Sequence, residues 1–172
     1  MKRSFLAVAV AGLAAGCAME QGSGLKAVAQ LEPTRGNNTT GTVVFEQRGS
    51  KVLVSAEVRG LKPNTEHGFH VHEKGDCSSG DGMSTGGHFN PKGVPHGPPS
   101  RGPHHAGDMP ALKADANGQA KLAWEGTELT LSDGPASVVG RGVIVHRDPD
   151  DYRTQPTGNA GPRLACGVVR RI

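Results

Sequence analysis

The sequence predicts an all-β domain, either a sandwich or a barrel, built from about eight short strands. Apolar and polar residues alternate in several short runs, which is the period of a half-buried strand. Glycine, proline and asparagine separate these runs, and no long segment carries the 3.6-residue period of an amphipathic helix. At 172 residues the chain is expected to form one such domain.

The first three strands are predicted at residues 25–33, 41–48 and 51–58. In the third strand every second residue is apolar (Val52, Val54, Ala56 and Val58), so one of its faces is expected to be buried. The tripeptide Arg48-Gly49-Ser50 separates the second strand from the third and predicts a tight hairpin.

Five further strands are predicted at residues 68–73, 111–115, 119–124, 136–146 and 163–172. The dipeptide Asn117-Gly118 is a strong signal for a two-residue hairpin turn between the second and third of these strands. The core is expected to be lean, because the chain has 26 glycines but only four phenylalanines, one tryptophan and one tyrosine.

The segment 74–110 interrupts the strand pattern. Glycine and proline make up about two in five of its residues, so it is expected to form neither a strand nor a helix. A structureless loop of this length inside a compact domain is uncommon and is usually functional or disordered. The segment also carries four histidines, His88, His96, His104 and His105. Because a loop without apolar packing can still be ordered by coordinating a metal, we expect a metal-binding loop here.

Three segments are expected along the chain. Residues 1–16 have the pattern of a secretory signal peptide, with a basic start followed by an apolar run and small residues. The apolar run is too short to span a bilayer as a permanent helix. Residues 17–24 are expected to be a tether, and residues 25–172 form the β domain.

The end of the signal segment, Leu-Ala-Ala-Gly-Cys, is similar to a bacterial lipobox. It predicts cleavage before Cys17 and acylation of the Cys17 sulfur, which would attach the protein to a membrane as a lipoprotein. Ala14 departs from this pattern, because leucine is usual at that position. The alternative is an ordinary signal peptide that is cleaved near Gly16 or a few residues later.

The charge balance argues against a nucleic-acid partner. Two of the 19 lysines and arginines, Lys2 and Arg3, lie in the signal segment, and 16 acidic residues almost balance the other 17. No basic stripe therefore remains for nucleic acid.

Cysteine usage agrees with export. The chain has three cysteines, Cys17, Cys77 and Cys166, and disulfides persist in oxidising compartments outside the cytosol. If Cys17 is the lipid anchor, one pair is left, Cys77 and Cys166.

The strand at 68–73 carries two histidines with one valine between them. His70 and His72 are expected on one face, roughly 6.6–6.8 Å apart along the strand, since side chains alternate across it. Two such imidazoles can converge on one metal ion, or they can simply be polar residues of a solvated face. Two more histidine-bearing clusters occur, the loop at 86–109 and the segment Ile144–Asp151, which ends in Asp-Pro-Asp-Asp.

Taken together, in this order and spacing, the three clusters resemble the copper–zinc superoxide dismutase family. The resemblance covers essentially all of the chain after the signal segment, including the ending Gly-Asn-Ala-Gly-Pro-Arg-Leu-Ala-Cys-Gly-Val-Val. It implies a Greek-key β-barrel, which is an immunoglobulin-like sandwich, with long metal-binding loops and a dinuclear site outside the barrel. The position of Cys77 directly after Asp76 is similar to the bacterial, exported branch of the family.

The resemblance also implies the metal ligands. Copper is expected at His70, His72, His88 and His146, and zinc at His88, His96, His105 and Asp108, with one ion of each metal per subunit. His88 occurs in both sets because one imidazole is expected to bridge the two metals. Four imidazoles suit Cu(II), and imidazoles with one carboxylate suit a structural Zn²⁺.

Four further residues receive roles from the resemblance. Asp150 is expected to hydrogen-bond His70 and His96, and metal-bound histidines usually have such a partner. Arg163 is expected to lie beside the copper and attract the anionic substrate, which makes it a catalytic residue together with His88. His67 is expected to be structural and to bond backbone, and His104 to be an exposed spare. The segment 147–162 departs from the family, because it is shorter than its eukaryotic counterpart.

The function implied is an antioxidant oxidoreductase that converts superoxide to oxygen and hydrogen peroxide by copper redox cycling in the cell envelope. Its expected location is the periplasm, with membrane attachment through a lipidated Cys17. The alternative is a periplasmic copper- or zinc-binding protein without turnover, and a second alternative is a structural β-sandwich with incidental histidines. The family includes monomers and dimers, so an oligomer is possible.

Overall fold

The alternating apolar residues build a three-stranded meander at the centre of the fold. In the computed structural model, which describes residues 24–172, the meander consists of β1 (Lys26–Pro33), β2 (Thr40–Arg48) and β3 (Lys51–Arg59). The β2–β3 ladder runs from Thr40 opposite Arg59 to Arg48 opposite Lys51. The hairpin predicted at Gly49 is therefore confirmed, and Gly49 supplies the positive φ of 59° that such a tight turn requires.

Seven shorter strands complete the sheet structure. They are β4 (Glu66–His67), β5 (Phe69–His72), β6 (Leu112–Lys113), β7 (Ala120–Gly126), β8 (Gly142–His146), β9 (Arg163–Val168) and β10 (Arg170–Arg171). The main sheet is antiparallel and curled, in the order β5-β8-β9-β1-β2-β3-β7, with β10 also against β1; β4 pairs with β6. Strands distant in sequence lie side by side, as in a Greek key. The predicted all-β fold class is confirmed.

The core lies against one face of this curled sheet. Period-two alternation sends the apolar side chains inward from β2 and β3, where Phe45, Val52 and Val54 are fully buried. Phe69 and Val71 of β5 join the same core. The intervening residues of β5, His70 and His72, therefore point to the opposite face, and they are fully buried there as well.

The segment 74–110 covers that opposite face. Its only regular element among the described residues is a single 3₁₀ turn at Met83–Thr85, so the prediction that it forms no strand and no α-helix is correct. Gly82 and Thr85 pack on Ile144 and Gly142 of β8. The histidines of β5 are consequently enclosed between the sheet and the loop.

The hairpin prediction at Asn117-Gly118 is wrong about which strands pair. A turn is present, closed by the Asp115 N–H, which donates to the carbonyl of Gln119 over 2.8 Å. The flanking strands do not pair with each other, because β6 pairs with β4 and β7 pairs with β3. Local turn chemistry identifies the reversal, but the choice of strand partner depends on distant contacts.

Two other predicted strands are shorter than expected. The strand predicted at 136–146 begins only at Gly142, because the chain turns at Gly140, where φ is 79°. The strand predicted at 163–172 breaks at Val169, whose N–H donates to the carbonyl of Arg141 instead of to a neighbouring strand. In both places the apolar run continues past the ladder because it fills the core.

A disulfide joins the loop to the sheet. Cys77, near the start of the loop, is bonded to Cys166 of β9 across 89 positions of sequence, as predicted. Cys17 and the signal segment lie outside the described residues. Within residues 24–172 there is no helix of the length and apolar character needed to cross a membrane.

Candidate metal centre

Two neighbouring strands supply the histidines that come from the sheet. β5 and β8 are antiparallel, with Phe69 opposite Val145 and His70 opposite Ile144. His146 follows at the end of β8, where its N–H donates to the carbonyl of Gly68 over 2.8 Å. The strand end thus brings His146 to the same side of the sheet as His70.

The loop delivers its ligands along the free edge of β5. The Phe89 N–H donates to the carbonyl of Val71 over 2.8 Å, and the Val71 N–H donates to the carbonyl of Gly107 over 2.9 Å. These bonds extend the sheet with two loop segments and place His88 opposite His72 and Asp108 opposite His70. Backbone pairing, rather than apolar packing alone, therefore fixes where the loop residues sit.

Four histidines form the first cluster: His70, His72, His88 and His146. All are buried, and one potential ligand atom from each lies within 4.8 Å of the others. The Nε2 atoms of His72 and His146 are 3.4 Å apart. The rings of His70 and His88 stack with centroids 3.9 Å apart.

The second cluster consists of His88, His96, His105 and Asp108, again buried and with ligand atoms within 4.8 Å of one another. Asp108 lies at its centre, with its carboxylate 2.8 Å from Nδ1 of His88 and 3.0 Å from Nδ1 of His96. The second oxygen of Asp108 also accepts the His105 N–H over 2.8 Å, which closes the turn between these two residues. His88 belongs to both clusters.

Backbone carbonyls and one carboxylate fix the orientation of the rings in the first cluster. Nδ1 of His72 lies 2.9 Å from the carbonyl of Gly86, and Nδ1 of His146 lies 3.0 Å from the carbonyl of Gly161. These acceptors require a proton on Nδ1 and leave Nε2 unprotonated towards the cluster. His70 is reversed, since its Nε2 donates to Asp150 over 2.7 Å and its Nδ1 faces the cluster.

Four buried ring nitrogens lack a hydrogen-bond partner within residues 24–172. They are Nδ1 of His70, Nε2 of His88, Nδ1 of His96 and Nδ1 of His105. Nδ1 of His96 lies 3.0 Å from the Asp108 carboxylate, but the contact lacks hydrogen-bond geometry. An unpaired buried polar atom costs about 1–3 kcal/mol, and such atoms rarely accumulate without a reason. Coordination of one metal ion in each cluster would satisfy all four. The donor sets fit the metals, since all-imidazole ligation suits copper and imidazoles with one carboxylate suit zinc.

The electrostatics keep three histidines of the first cluster, His70, His72 and His146, neutral. Burial, together with the neighbouring imidazoles, holds the pKa values of His70 and His72 well below the usual range. Burial lowers the pKa of His146 to about 4. Neutral imidazoles carry the lone pair that a metal ion requires, so no proton has to leave these three rings near neutral pH.

In the second cluster two carboxylates together outweigh the effect of burial on the pKa of His96. Burial by itself would lower the pKa of His96, but Asp108 and Asp150, each 3.0 Å from one of its ring nitrogens, raise that pKa to about 9. Burial would raise the pKa of Asp108, but the adjacent imidazoles of His88 and His96 outweigh it and depress the pKa strongly. A cation is thus favoured at this position, which agrees with a divalent metal site.

The segment 150–155 supports both clusters. Asp150 accepts from Nε2 of His70 and Nε2 of His96, as predicted, and its Oδ1 also accepts the Tyr152 N–H over 2.7 Å. Gln155 forms two hydrogen bonds with the backbone of His96, one to its N–H and one to its carbonyl, both 2.9 Å long. Sequence reasoning did not find Gln155, because a glutamine in a turn has no distinguishing pattern.

Arg163 lies beside the first cluster at the start of β9. Its guanidinium donates to the carbonyls of Gly82 and Gly86 over 2.5 and 2.7 Å and to the hydroxyl of Thr85 over 2.7 Å. Its charge lowers the pKa values of His72 and His146, in each case as a smaller effect than burial. Within residues 24–172 no carboxylate forms an ion pair with Arg163, so its positive charge is available to an anion.

The two remaining histidines lie outside the clusters. His67 bonds the carbonyl of His146 through Nδ1 and the hydroxyl of Thr65 through Nε2, both over 2.9 Å. It therefore has the structural role that was predicted. Among residues 24–172, the His104 side chain has one hydrogen bond, from Nδ1 to the nearby carbonyl of Gly102, and it is half-buried rather than exposed.

Comparisons with known proteins agree with this geometry. The family model described as copper/zinc superoxide dismutase (SODC) matches residues 39–169, which is most of the chain. The chain belongs to the copper/zinc superoxide dismutase family. Membership makes it an oxidoreductase that acts on superoxide, and the two clusters fit the copper and zinc sites of this family.

Individual relatives support the same assignment. A protein named superoxide dismutase (Cu-Zn) from Paramecium bursaria Chlorella virus 1 is 43% identical over 135 residues, covering 75% of this chain and 71% of the viral protein. The crystal structure of a clock protein named EA4 has a TM-score of 0.78 with this chain at 40% identity. That match covers 86% of this chain and 94% of the clock protein.

Proposed function

We propose that this chain is an exported superoxide dismutase that is anchored to a membrane of the cell envelope through Cys17 and acts in the periplasm. The signal pattern of residues 1–16 and the lipobox-like ending before Cys17 motivate this location. The disulfide between Cys77 and Cys166 is consistent with it, because such bonds persist in oxidising compartments.

The proposal assigns copper to the first cluster and zinc to the second, with His88 as the bridge. The observation that carries it is the pair of four-residue clusters that share one imidazole. His88 directs Nδ1 to Asp108 in the second cluster, and its Nε2 has no partner among residues 24–172. One ring can thus serve two ions through its two nitrogens.

Bound copper supplies the one-electron redox couple through which two superoxide ions and two protons become oxygen and hydrogen peroxide. The protein contributes three things. The ring nitrogens of His70, His72 and His146 are held neutral and aimed inward, where they would hold copper. Arg163 attracts the anion, and Nε2 of His88, which has no partner among residues 24–172, would be available to hold a proton. The second cluster keeps the loop, and with it His88, in one geometry.

Replacement of His146 tests the copper assignment. We expect His146→Ala to lose copper and dismutase activity but to keep zinc and the fold, because His146 contributes only to the first cluster. Metal content and activity should be measured on the same preparation. Retained activity would contradict the assignment. Wild-type protein that binds both metals without turnover would instead favour the metal-storage alternative.

Replacement of Cys17 tests the anchor. Cys17→Ser should release the protein into the soluble periplasmic fraction, whereas wild-type protein should remain with the membranes and carry a lipid mass on its N-terminal cysteine. A wild-type protein that is soluble and unmodified would favour the ordinary signal peptide instead. Dismutase activity should be the same in both forms, since the β domain does not include Cys17.

A further inference from the structure

The hydroxyl of Thr85 lies between Arg163 and a histidine of the first cluster. Thr85 is fully buried at the end of the 3₁₀ turn. Its Oγ1 is 2.7 Å from Nη1 of Arg163, 2.8 Å from the carbonyl of Gly82 and 3.2 Å from Nδ1 of His72. A threonine hydroxyl has one proton and two lone pairs, so it can make three such contacts at once.

The chemistry of the partners fixes the direction of each bond. The Gly82 carbonyl can only accept, so Thr85 donates its single proton there. The guanidinium of Arg163 can only donate, so it occupies one lone pair of Oγ1. The other lone pair faces Nδ1 of His72, which must therefore carry a proton. This is the tautomer that leaves Nε2 of His72 free for a metal.

Arg163 and His72 share a second acceptor. The carbonyl of Gly86 lies 2.7 Å from Nη2 of Arg163 and 2.9 Å from Nδ1 of His72. The two side chains are thus bound to the same pair of groups, one hydroxyl and one carbonyl. Of these two, only the hydroxyl depends on the identity of a side chain.

We propose that Thr85 is a positioning residue that couples the guanidinium of Arg163 to the orientation of His72. The proposal rests on the function proposed above, in which Arg163 attracts the anion and His72 binds copper. In a variant with valine at position 85, Arg163 loses one of its three hydrogen-bond acceptors, and a methyl group lies beside the guanidinium in place of the hydroxyl. The guanidinium of Arg163 is then held less firmly beside the proposed copper position, so an anion binds at that position more weakly.

The test is an azide titration of the copper- and zinc-loaded protein, in which the visible spectrum of the copper reports azide binding. Thr85→Val keeps the shape of the side chain and removes the hydroxyl. We expect azide affinity to fall about tenfold, the lower end of what a hydrogen bond to a charged group contributes. The salt dependence of kcat/KM for superoxide should weaken as well, because the steering charge is displaced. Thr85→Ser restores the hydroxyl and should restore both values.

Thr34→Val is the matched control. Thr34 is also buried and also bonds Arg163, but its hydroxyl donates to the backbone carbonyl of Arg163 over 2.6 Å and does not contact the guanidinium. We expect this variant to lower the melting temperature and to leave azide affinity within about twofold of wild type. An equal loss of azide affinity in both variants would overturn the proposal, because it would indicate a general loosening around Arg163.

Arg163→Ala separates this proposal from the function on which it rests. If Arg163→Ala lowers azide affinity and Thr85→Val does not, the coupling through Thr85 is wrong while Arg163 keeps its proposed role. If neither variant lowers azide affinity, both proposals fail. Metal content should be measured for every variant, so that a change in affinity is not confused with an unfilled site.

Discussion

His96 is held in the second cluster both at its ring and at its backbone. Both of its ring nitrogens lie 3.0 Å from a carboxylate oxygen, one of Asp108 and one of Asp150. Its backbone N–H and carbonyl are both bonded to Gln155. A ligand held at its ring and at its backbone cannot swing away when the metal leaves, so the site is preorganised for zinc.

Removal of the Gln155 amide should weaken zinc binding. We expect Gln155→Met to lower zinc affinity about tenfold, the lower end of the 10–100-fold that partners orienting a ligand typically contribute, because Gln155 is exposed to water. Competition with a chromophoric chelator measures this. Arg153→Met is the control, since the Arg153 side chain makes no hydrogen bond or ion pair with any residue of the range 24–172. Unchanged zinc affinity in Gln155→Met would refute this role.

The sequence could predict the ligands and their partner Asp150, but not Thr85 or Gln155. Histidine in the pattern of His70, His72 and His88 is unusual enough to carry a family resemblance, and the structure brings all seven proposed ligands together. Thr85 and Gln155 have ordinary side chains in ordinary turns. Their contacts connect positions that are distant in sequence, such as Gln155 with His96, so only the folded chain reveals them.

At the level of elements, turns were predicted better than strand partners. Gly49 identified the β2–β3 hairpin because the adjacent strands are long and pair directly. Asn117-Gly118 identified a reversal whose flanking strands pair elsewhere, since β7 pairs with β3 and packs Leu122 and Trp124 against the core. Alternation defines which face of a strand is buried, but it does not define the neighbouring strand.

The disulfide links two of these elements, the start of the loop and β9. We expect the Cys77→Ala/Cys166→Ala double variant to melt about 10 °C lower. The chain-entropy account assigns about 4–5 kcal/mol to a loop of this length as an upper value, and about 2–4 °C corresponds to each kcal/mol. Calorimetry of oxidised, reduced and double-variant protein measures the difference. Equal melting temperatures would show that the bond does not stabilise the fold.

At the level of the whole molecule, the buried histidines make the stability of the metal-free protein depend on pH. The pKa of His146 is about 4 in the fold and near 6.5 in the unfolded chain. The contribution of neutral, buried His146 to the free energy of unfolding is therefore present above pH 6.5 and is lost as the pH falls towards 4. His70 and His72 shift in the same direction. The effect of His96 on stability has the opposite pH dependence. Folding raises its pKa to about 9, so its contribution to the free energy of unfolding is lost as the pH rises through that value.

We therefore expect the metal-free protein to be most stable near pH 6.5. Its melting temperature, measured after chelation of metals, should fall on both sides of this value. In His146→Asn the decrease towards pH 4.5 should be smaller, because one depressed imidazole has been removed. A melting temperature that stays constant between pH 6.5 and 4.5 would contradict this account of the clusters.

The pairing of the loop with β5 has a consequence for the chain before it receives its metals. The edge of β5 is covered at Val71 by the loop segments that carry His88 and Asp108, and these residues are proposed to be held by the ions. If the loop lifts away, bare amide and carbonyl groups become a template onto which another molecule can add a strand. β7, at the opposite edge, bears the charged residues Lys121 and Glu125, which discourage such addition. Newly folded chains without metals are thus the form most exposed to aggregation, and prompt metal delivery protects them.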